Sequence, residues 1–335
     1  MDAGVSDSER ICQRTAEEFG FSAGAEAVLP CSTGVIGWRL PTDDIVKKIE
    51  NVKGKMQSSS LMPAAHSIMT TDRYPKLRGT KVGGGGARMV GIAKGAGMIE
   101  PDMATMLVYI LTDLKVPAEA MRAMLRAAVD RSFNCISIDS DTSTSDTVAL
   151  VSSGRVEPGE GDLEVFEEML ENVCRGLAED VVRNGEGTTH VIEVKVVGAP
   201  SVDVGRRLGK AVVNSPLFKA AISGNDPNVG RLLVVVGRVL SQLAPEADTG
   251  KTRLSFGGSV VFEKGAFCIG PDTERGLSQL FKGAELLVGG EHVDYPPHFR
   301  VVPVEVDLGL GEHESTVLGS DLTSEYVHIN ADYRS

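Results

Sequence analysis

Thr105 follows a segment whose residue types could support covalent chemistry. Residues 91–107 contain three glycines, Lys94 and Pro101 ahead of the pair Ala104-Thr105, where an apolar run begins. A threonine hydroxyl is a weak nucleophile until a base activates it. If the peptide bond between Ala104 and Thr105 is cut, Thr105 gains a free amine beside its own hydroxyl, and that amine can serve as the base. The segment therefore favours an N-terminal nucleophile made by self-cleavage.

A purely structural explanation of the same segment is also open. The glycines would then form a turn, Pro101 would start a helix, and Thr105 would be a buried helical hydroxyl. The residue types alone are compatible with both explanations.

The charge of the chain excludes some classes of partner. The 335 residues carry 46 acidic and 34 basic side chains, a formal net charge of −12. Nucleic acid and anionic membrane surfaces both require a concentrated positive field, so neither is expected as a partner. The longest uncharged apolar run, Met103–Leu111, is about half of what a bilayer span needs. The acidic amino terminus lacks an apolar signal core. We therefore expect a cytoplasmic protein.

The cysteines and histidines give no metal-ligand pattern. The five cysteines are widely spaced and include no C-x-x-C pair, and the six histidines are scattered. Reduced thiols are expected in this setting. Asp139 and Asp141 imitate the start of a calcium loop, but Thr144 and Leu150 stand where glycine and glutamate are required. We predict no metal site.

Hydrophobic spacing predicts a mixed α/β fold. Helices are predicted after Pro117 and around Phe166–Leu177, where apolar residues recur every three to four positions. Glycines at 83–86 interrupt a predicted hairpin. Strands are predicted at Thr147–Val151, Val191–Val197, Leu232–Val236, Leu254–Phe262 and Val301–Val306. The elements favour helices layered over packed sheets, in one compact unit of two interleaved halves spanning residues 1–335, with a subdomain boundary near residue 200 as the alternative.

Several motifs along the chain together resemble one enzyme family. They lie, in order, at Ser32–Gly37, Ile68–Asp72, Gly91–Leu107, Asp139–Asp146, Asn184–Thr188, Asp226–Arg231 and Tyr326–Ser335. This set resembles the ornithine acetyltransferases, also called bifunctional arginine-biosynthesis glutamate N-acetyltransferases, which use an N-terminal nucleophile. The resemblance covers essentially the whole chain. It implies an α+β, αββα-type layered sandwich like that of the related aminopeptidases.

The resemblance implies a role for each matching residue. Thr105 would cut the chain after Ala104, giving an alpha chain 1–104 and a beta chain 105–335, and would then carry the acetyl group. Thr33 and Gly34 would form the oxyanion hole, with donors typically worth about 3 kcal/mol of barrier. The substrate would be bound by Thr70, Lys94, Thr105, Glu186, Asn330 and Ser335. Without the resemblance, Glu186 would be expected in solvent, and a solvated surface position is the alternative for Lys94.

The implied reaction is ping-pong. Thr105 takes acetyl from N2-acetylornithine, ornithine leaves, and glutamate accepts the acetyl group to give N-acetylglutamate. No metal or nucleotide cofactor is implied, and acetyl-CoA is a co-substrate only if the enzyme is bifunctional. The resemblance also implies a heterotetramer of two alpha and two beta chains.

Two departures from the family pattern keep alternatives open. Family members usually begin several dozen residues earlier, with an Asn-Ser-Gly-Asn-Ala-Asn type of turn, and Val229 stands where they commonly have tryptophan. The alternatives are an N-terminal-nucleophile aminopeptidase on a related scaffold and an inactive, shortened paralogue that only associates with other subunits.

Overall fold

The chain divides into two compact units between Pro63 and Ala64. A computed structural model describes residues 2–56, 59–100 and 106–332. The sequence predicts one unit, with a boundary near residue 200 as the alternative, but residue 200 lies inside the second unit. The reason is strand pairing across that position, since the strand Val191–Ala199 pairs with two strands beyond residue 300. The predicted cleavage site between Ala104 and Thr105 lies outside the described residues, so cleavage stays a prediction.

The first unit, residues 1–63, is built mainly from two helices. They are α1 (Asp2–Phe19) and α2 (Thr42–Ile49), with short 3-10 turns at Gly24–Ala27 and Lys53–Lys55. The buried carboxylate of Asp7 accepts two hydrogen bonds from the Arg39 guanidinium, at 2.7 and 2.8 Å. This bidentate pair fastens the loop before α2 to the first helix.

The short helix α3 (Met62–Ser67) spans the division, and the second unit holds the remaining elements. Its further helices are α4 (Ala118–Asp130), α5 (Asp162–Arg183), α6 (Val202–Val213), α7 (Pro216–Ser223), α8 (Val229–Leu243), α9 (Pro271–Gly283) and α10 (Ser324–Ala331), with 3-10 turns at Phe133–Cys135 and Thr249–Lys251. Its strands are β1 (Lys76–Val82), β2 (Ala87–Lys94), β3 (Leu107–Leu114), β4 (Ile136–Ser137), β5 (Thr147–Val156), β6 (Val191–Ala199), β7 (Arg253–Phe256), β8 (Ser259–Glu263), β9 (Ala266–Phe267), β10 (Leu287–Val288), β11 (Glu291–His292), β12 (Val302–Asp307) and β13 (His313–Ser320).

A sheet of order β1-β2-β3-β5 carries the segment on either side of the predicted cleavage site. β1 and β2 form the predicted antiparallel hairpin around the glycines at 83–86, and β3 and β5 run parallel. Helix α5 packs closely on this sheet, because a Cβ at Gly91 would lie 2.8 Å from the Leu177 side chain. Met89, Ile110 and Phe166 belong to the same hydrophobic cluster. The antiparallel register of this sheet places Lys94, the last residue of β2, opposite Leu107, the first residue of β3.

The larger sheet has the order β4-β13-β6-β12-β7-β8-β9 within the described ranges, and helices cover one of its faces. Val194 and Val196 of β6 lie in one core cluster with Leu208 and Val212 of α6 and Val236 of α8. Alternate residues of β12 are buried, which is the pattern of a strand with one covered face. The predicted mixed α/β class with helices layered over sheets is therefore confirmed. No described helix is long and apolar enough to cross a bilayer.

The strand predicted at Leu232–Val236 is wrong, because this run lies inside α8. The Asn228 side chain caps the helix by accepting the Arg231 backbone N–H over 3.1 Å. Val234 points away from the core and is 69% exposed. The buried positions recur at helical spacing: Val229, Leu232, Val235, Val236, Val239 and Leu240. A five-residue apolar run fits a buried strand and a helix equally well, and only the longer pattern separates them.

The single strand predicted at Leu254–Phe262 is instead the β7–β8 hairpin. Gly257 and Gly258 turn the chain with φ values of 53° and 81°, a region that disfavours other residues. The two glycines were the signal that the prediction overlooked.

Candidate active site

Asp72, the last residue of the Met-Thr-Thr-Asp motif, joins the segments that carry several predicted site residues. Its buried carboxylate accepts hydrogen bonds from the Lys76 ammonium, from the Gly95 backbone N–H at 2.8 Å and from the Thr70 backbone N–H at 3.0 Å. Lys76 also donates to the Asn184 side chain over 2.6 Å. Burial alone would raise the pKa of Asp72, but the Lys76 charge and the donated hydrogen bonds hold it below its usual range.

Lys94, the last residue of β2, is buried and only 3% exposed. The alternative of a solvated surface lysine is therefore wrong. Burial lowers the pKa of Lys94, while the nearby carboxylates of Asp72 and Asp146 favour its charged form. In the β2–β3 register Lys94 lies opposite Leu107, two residues after the predicted nucleophile.

Glu186 lies in the Gly-Glu-Gly turn that follows α5, and it is 8% exposed rather than solvated. Its backbone N–H donates to the Ala96 carbonyl over 2.8 Å. A Cβ at Gly97 would lie 2.6 Å from the Glu186 carboxylate, so the absence of a side chain there makes room for this group. The Asn330 side chain donates to Glu186 Oε2 over 2.8 Å. The structure thus brings Glu186 and Asn330 together beside the segment that follows Lys94.

Asp139, the first residue of the Asp139–Asp146 motif, was not predicted as a site residue. Its carboxylate accepts the backbone N–H groups of Met98 and Ile99 at 2.6 and 2.8 Å, and the Tyr326 hydroxyl donates to it over 3.3 Å. Met98 has a φ of 56°, an unusual conformation for a residue with a side chain. Burial raises the pKa of Asp139 despite these donors. Its role is to hold the glycine-rich segment and the last helix.

Asp146 was also not predicted as a site residue. Its carboxylate accepts the backbone N–H of Met106, the residue after the predicted nucleophile. Burial raises the pKa of Asp146 to about 7, although the Lys94 charge opposes this shift. Asp146 and Met106 line a cavity of about 620 Å³, which helix α4 borders with Arg122 and Arg126. No spacing rule in the sequence distinguishes Asp146 from the other acids of its loop.

The predicted oxyanion-hole residues belong to the first unit. Thr33 is half-buried and Gly34 is exposed, in the loop before the bend at Val35–Gly37. The predicted substrate residues Thr70 and Lys94 belong to the second unit. Thr70 is exposed, and its backbone is bound to Asp72. The oxyanion-hole role of Thr33 and Gly34 stays a prediction.

Three predicted site residues, Ala104, Thr105 and Ser335, lie outside the described residues. Their roles stay predictions. Helix α10 carries Asn330, and the described chain ends one residue after that helix, at Asp332.

The charges at the site suit a small zwitterionic substrate. Lys94 is a buried cation and Glu186 is a buried anion. The backbone hydrogen bond from the Glu186 N–H to the Ala96 carbonyl joins the two segments that carry them. A lysine binds a carboxylate as a point charge, and a glutamate binds an amine. Within the described ranges, no group of three or more histidine, cysteine or acidic side chains is arranged to hold a metal ion. All five cysteines are free thiols.

Comparison with known proteins gives one family. The ArgJ family model matches residues 1–335. The chain is 42% identical over 337 residues to the arginine biosynthesis bifunctional protein ArgJ of Ruegeria pomeroyi, covering 99% of this chain and 76% of that protein. It is 37% identical over 332 residues to ArgJ 2 of Clostridium acetobutylicum, covering 99% of this chain and 79% of that protein.

A solved structure agrees with the sequence comparison. The crystal structure of the arginine biosynthesis bifunctional protein argJ from Bacillus halodurans matches with a TM-score of 0.57 and 28% identity, over 67% of this chain and 98% of that chain. The family predicted from the motifs is confirmed. The chain belongs to the ArgJ family and is an acyltransferase of that family.

Proposed function

We propose that the chain cuts itself between Ala104 and Thr105 and then transfers acetyl from N2-acetylornithine to glutamate through an acetyl ester on Thr105. The names of the relatives, arginine biosynthesis bifunctional proteins, support this reaction in arginine synthesis. Acetyl-CoA would be a second acetyl donor to glutamate if this chain is bifunctional, as its relatives are named. The reaction needs no metal or nucleotide cofactor, because an amide is exchanged for an amide.

The observation that carries this proposal is the burial of two opposite charges beside the glycine segment that leads to Thr105. Lys94 begins this segment, and Glu186 is bound to it through Ala96 and lies against Gly97. Both substrates carry an α-carboxylate, and the buried Lys94 ammonium is a cation that can bind such a group. Glu186, held by Asn330, is the acceptor for a substrate amine and can take part in proton transfer.

The chemistry follows from the threonine itself. In self-cleavage the Thr105 hydroxyl attacks the Ala104 carbonyl carbon, and the Ala104–Thr105 C–N bond breaks to free the Thr105 amine. Water then hydrolyses the resulting ester to the Ala104 carboxylate and the Thr105 hydroxyl. In the transfer, the hydroxyl oxygen bonds to the acetyl carbon and its proton passes to that amine. The ornithine nitrogen leaves with a proton from the Thr105 ammonium. The glutamate amine then attacks the acetyl ester, the bond between the acetyl carbon and the threonine oxygen breaks, and a proton from the glutamate amine restores the Thr105 hydroxyl. Thr33 and Gly34 would donate to the oxyanion in both steps.

We also propose an assembly and a cellular setting, which the family resemblance and the sequence suggest. The two fragments, 1–104 and 105–335, would pair as two alpha and two beta chains in a cytoplasmic heterotetramer. Size-exclusion chromatography with light scattering on the purified protein measures this state.

The test of the function is ornithine release from N2-acetylornithine in the presence and absence of glutamate. The proposal predicts release that depends on glutamate and is lost in Thr105→Ala. Peptide cleavage without acetyl transfer would identify an aminopeptidase instead. If the folded wild-type protein shows neither acetyl transfer nor peptide cleavage, the chain is the inactive paralogue.

A further inference from the structure

Asp146 holds the backbone directly after the proposed nucleophile. One carboxylate oxygen, Oδ1, accepts the Met106 N–H, and the next residue, Thr147, donates its N–H to the Met106 carbonyl over 2.8 Å. Met106 is thus bound on both sides of its backbone by consecutive residues at the start of β5. The Met106 nitrogen belongs to the peptide bond between Thr105 and Met106. The Asp146 carboxylate therefore binds the peptide bond that directly follows the proposed nucleophile.

The second oxygen of this carboxylate is not used by any described group. Asp146 Oδ2 is buried and has no hydrogen-bond partner among the described residues. A buried carboxylate oxygen without a donor is costly, and such an atom in a native site calls for a functional explanation. The nitrogen atoms of consecutive residues lie roughly 3 Å apart by covalent geometry. The carboxylate that binds the Met106 N–H is therefore one backbone nitrogen away from the Thr105 nitrogen.

The charges around Asp146 come from two elements. In the sheet register Lys94, Leu107 and Thr147 are neighbours on β2, β3 and β5, and Lys94 is the charge that acts on Asp146. Asp72 lies near Lys94 as well. From the α4 side, the cavity that Asp146 lines is bordered by Arg122, Arg126 and Asp130.

Building on the self-cleavage proposed above, we propose that Asp146 is a positioning residue for Thr105, which orients the new α-amino group and exchanges a proton with it. In this step the N–H bond of the α-ammonium breaks and an O–H bond forms on Asp146. The freed lone pair of the amine then takes the hydroxyl proton as the threonine oxygen bonds to the acetyl carbon. The leaving amine departs with a proton from the α-ammonium, and Asp146 then returns its proton to the α-amine. Thr105 carries the acetyl group until the glutamate amine attacks the ester and releases the threonine hydroxyl.

Asp146→Asn is the variant that separates charge from structure. It keeps an oxygen that accepts the Met106 N–H and nearly the same volume, but it cannot exchange the proton. The loss of a negative charge beside the ammonium lowers the pKa of the amine. The ascending limb of the pH profile of kcat/KM should therefore move to lower pH, by about one unit, and kcat should fall at least about tenfold.

The experiment compares intact mass and pH profiles of wild type, Asp146→Asn, Asp146→Glu and Asp141→Asn. Asp141 is an exposed acid of the same loop, so its variant controls for the loss of one charge. We expect all four proteins to be cut after Ala104. The ascending limb of the pH profile of kcat/KM should move only in Asp146→Asn, and Asp146→Glu should keep the wild-type profile. An uncut Asp146→Asn chain, or an ascending limb at the wild-type pH, would overturn the inference. If wild type is uncut or Thr105→Ala is active, the proposed function fails instead.

Discussion

The Asn330 side-chain amide donates a 2.8 Å hydrogen bond to the Glu186 carboxylate, and this bond links the last helix to the Gly-Glu-Gly turn. Gly187 allows the helix to come close, because a Cβ there would overlap the Tyr326 backbone nitrogen. A residue near the carboxy terminus therefore controls how one of the two buried charges of the site is presented.

Asn330→Asp should weaken substrate binding by placing a second carboxylate beside Glu186. Loss of the hydrogen bond and the added repulsion together should cost about 1.5 kcal/mol, which is roughly a tenfold rise in KM for N2-acetylornithine. Steady-state kinetics measure this effect. Val327→Asp adds the same charge at a residue of the same helix that is 59% exposed, and it should leave KM unchanged. Equal effects of the two variants would show that only the helix charge matters.

Gly97→Ala should disturb the Glu186 carboxylate without unfolding the protein. The new Cβ would lie 2.6 Å from that carboxylate, which is the end of a flexible side chain and can move away. We expect kcat/KM to fall about tenfold or more, with a melting temperature close to that of wild type. Gly84→Ala is the matched control, since a Cβ at Gly84 meets nothing within 4 Å. Wild-type kinetics in Gly97→Ala would argue against a role for Glu186.

Asp72→Asn should be strongly destabilising, because it leaves the buried Lys76 ammonium without its charge partner. Breaking a pair of this kind costs about 3 kcal/mol or more of unfolding free energy, measured by urea denaturation. Glu157→Gln removes one partner of the exposed pair with Lys115 and should cost less than about 1 kcal/mol.

The effect of Asp72 should also depend on pH. Its pKa is lowered in the folded protein, so its stabilisation is fully present above the unfolded pKa of about 3.9 and is lost as the pH falls through the lower folded value. The stability difference between wild type and Asp72→Asn should therefore shrink only below about pH 4. A difference that stays constant down to pH 2 would contradict this assignment.

Lys94→Met should remove activity while sparing stability. Burial lowers the pKa of Lys94, so the folded protein bears a cost for this charge, and Asp146 can take up a proton when the charge is lost. We expect kcat/KM to fall at least about a hundredfold, with the unfolding free energy within about 1 kcal/mol of wild type. A large loss of stability would show that Lys94 is mainly structural.

The sequence predicted helices and strands with a long, regular hydrophobic pattern better than those with a short apolar run. Helices α4 and α5 and strands β5, β6 and β12 lie where the apolar spacing placed them. The run Leu232–Val236 was assigned to a strand because five apolar residues carry no period of their own. The Asn228 N-cap and the helical spacing of the buried residues along all of α8 show that this run is part of a helix.

The candidate site was accessible from the sequence only in part. The motif resemblance supplied Lys94, Glu186 and Asn330, and the structure connects all three to the glycine segment. Asp72, Asp139 and Asp146 each bind the backbone N–H group of a residue that is 23 to 41 positions away in the sequence. Such contacts depend on the tertiary fold, and no local pattern predicts them.

The mass of the purified protein under denaturing conditions tests the central claim most directly. The account predicts two polypeptides, residues 1–104 and 105–335, for wild type and one uncut chain for Thr105→Ala. A wild-type protein that stays a single 335-residue chain and still transfers acetyl groups would contradict it.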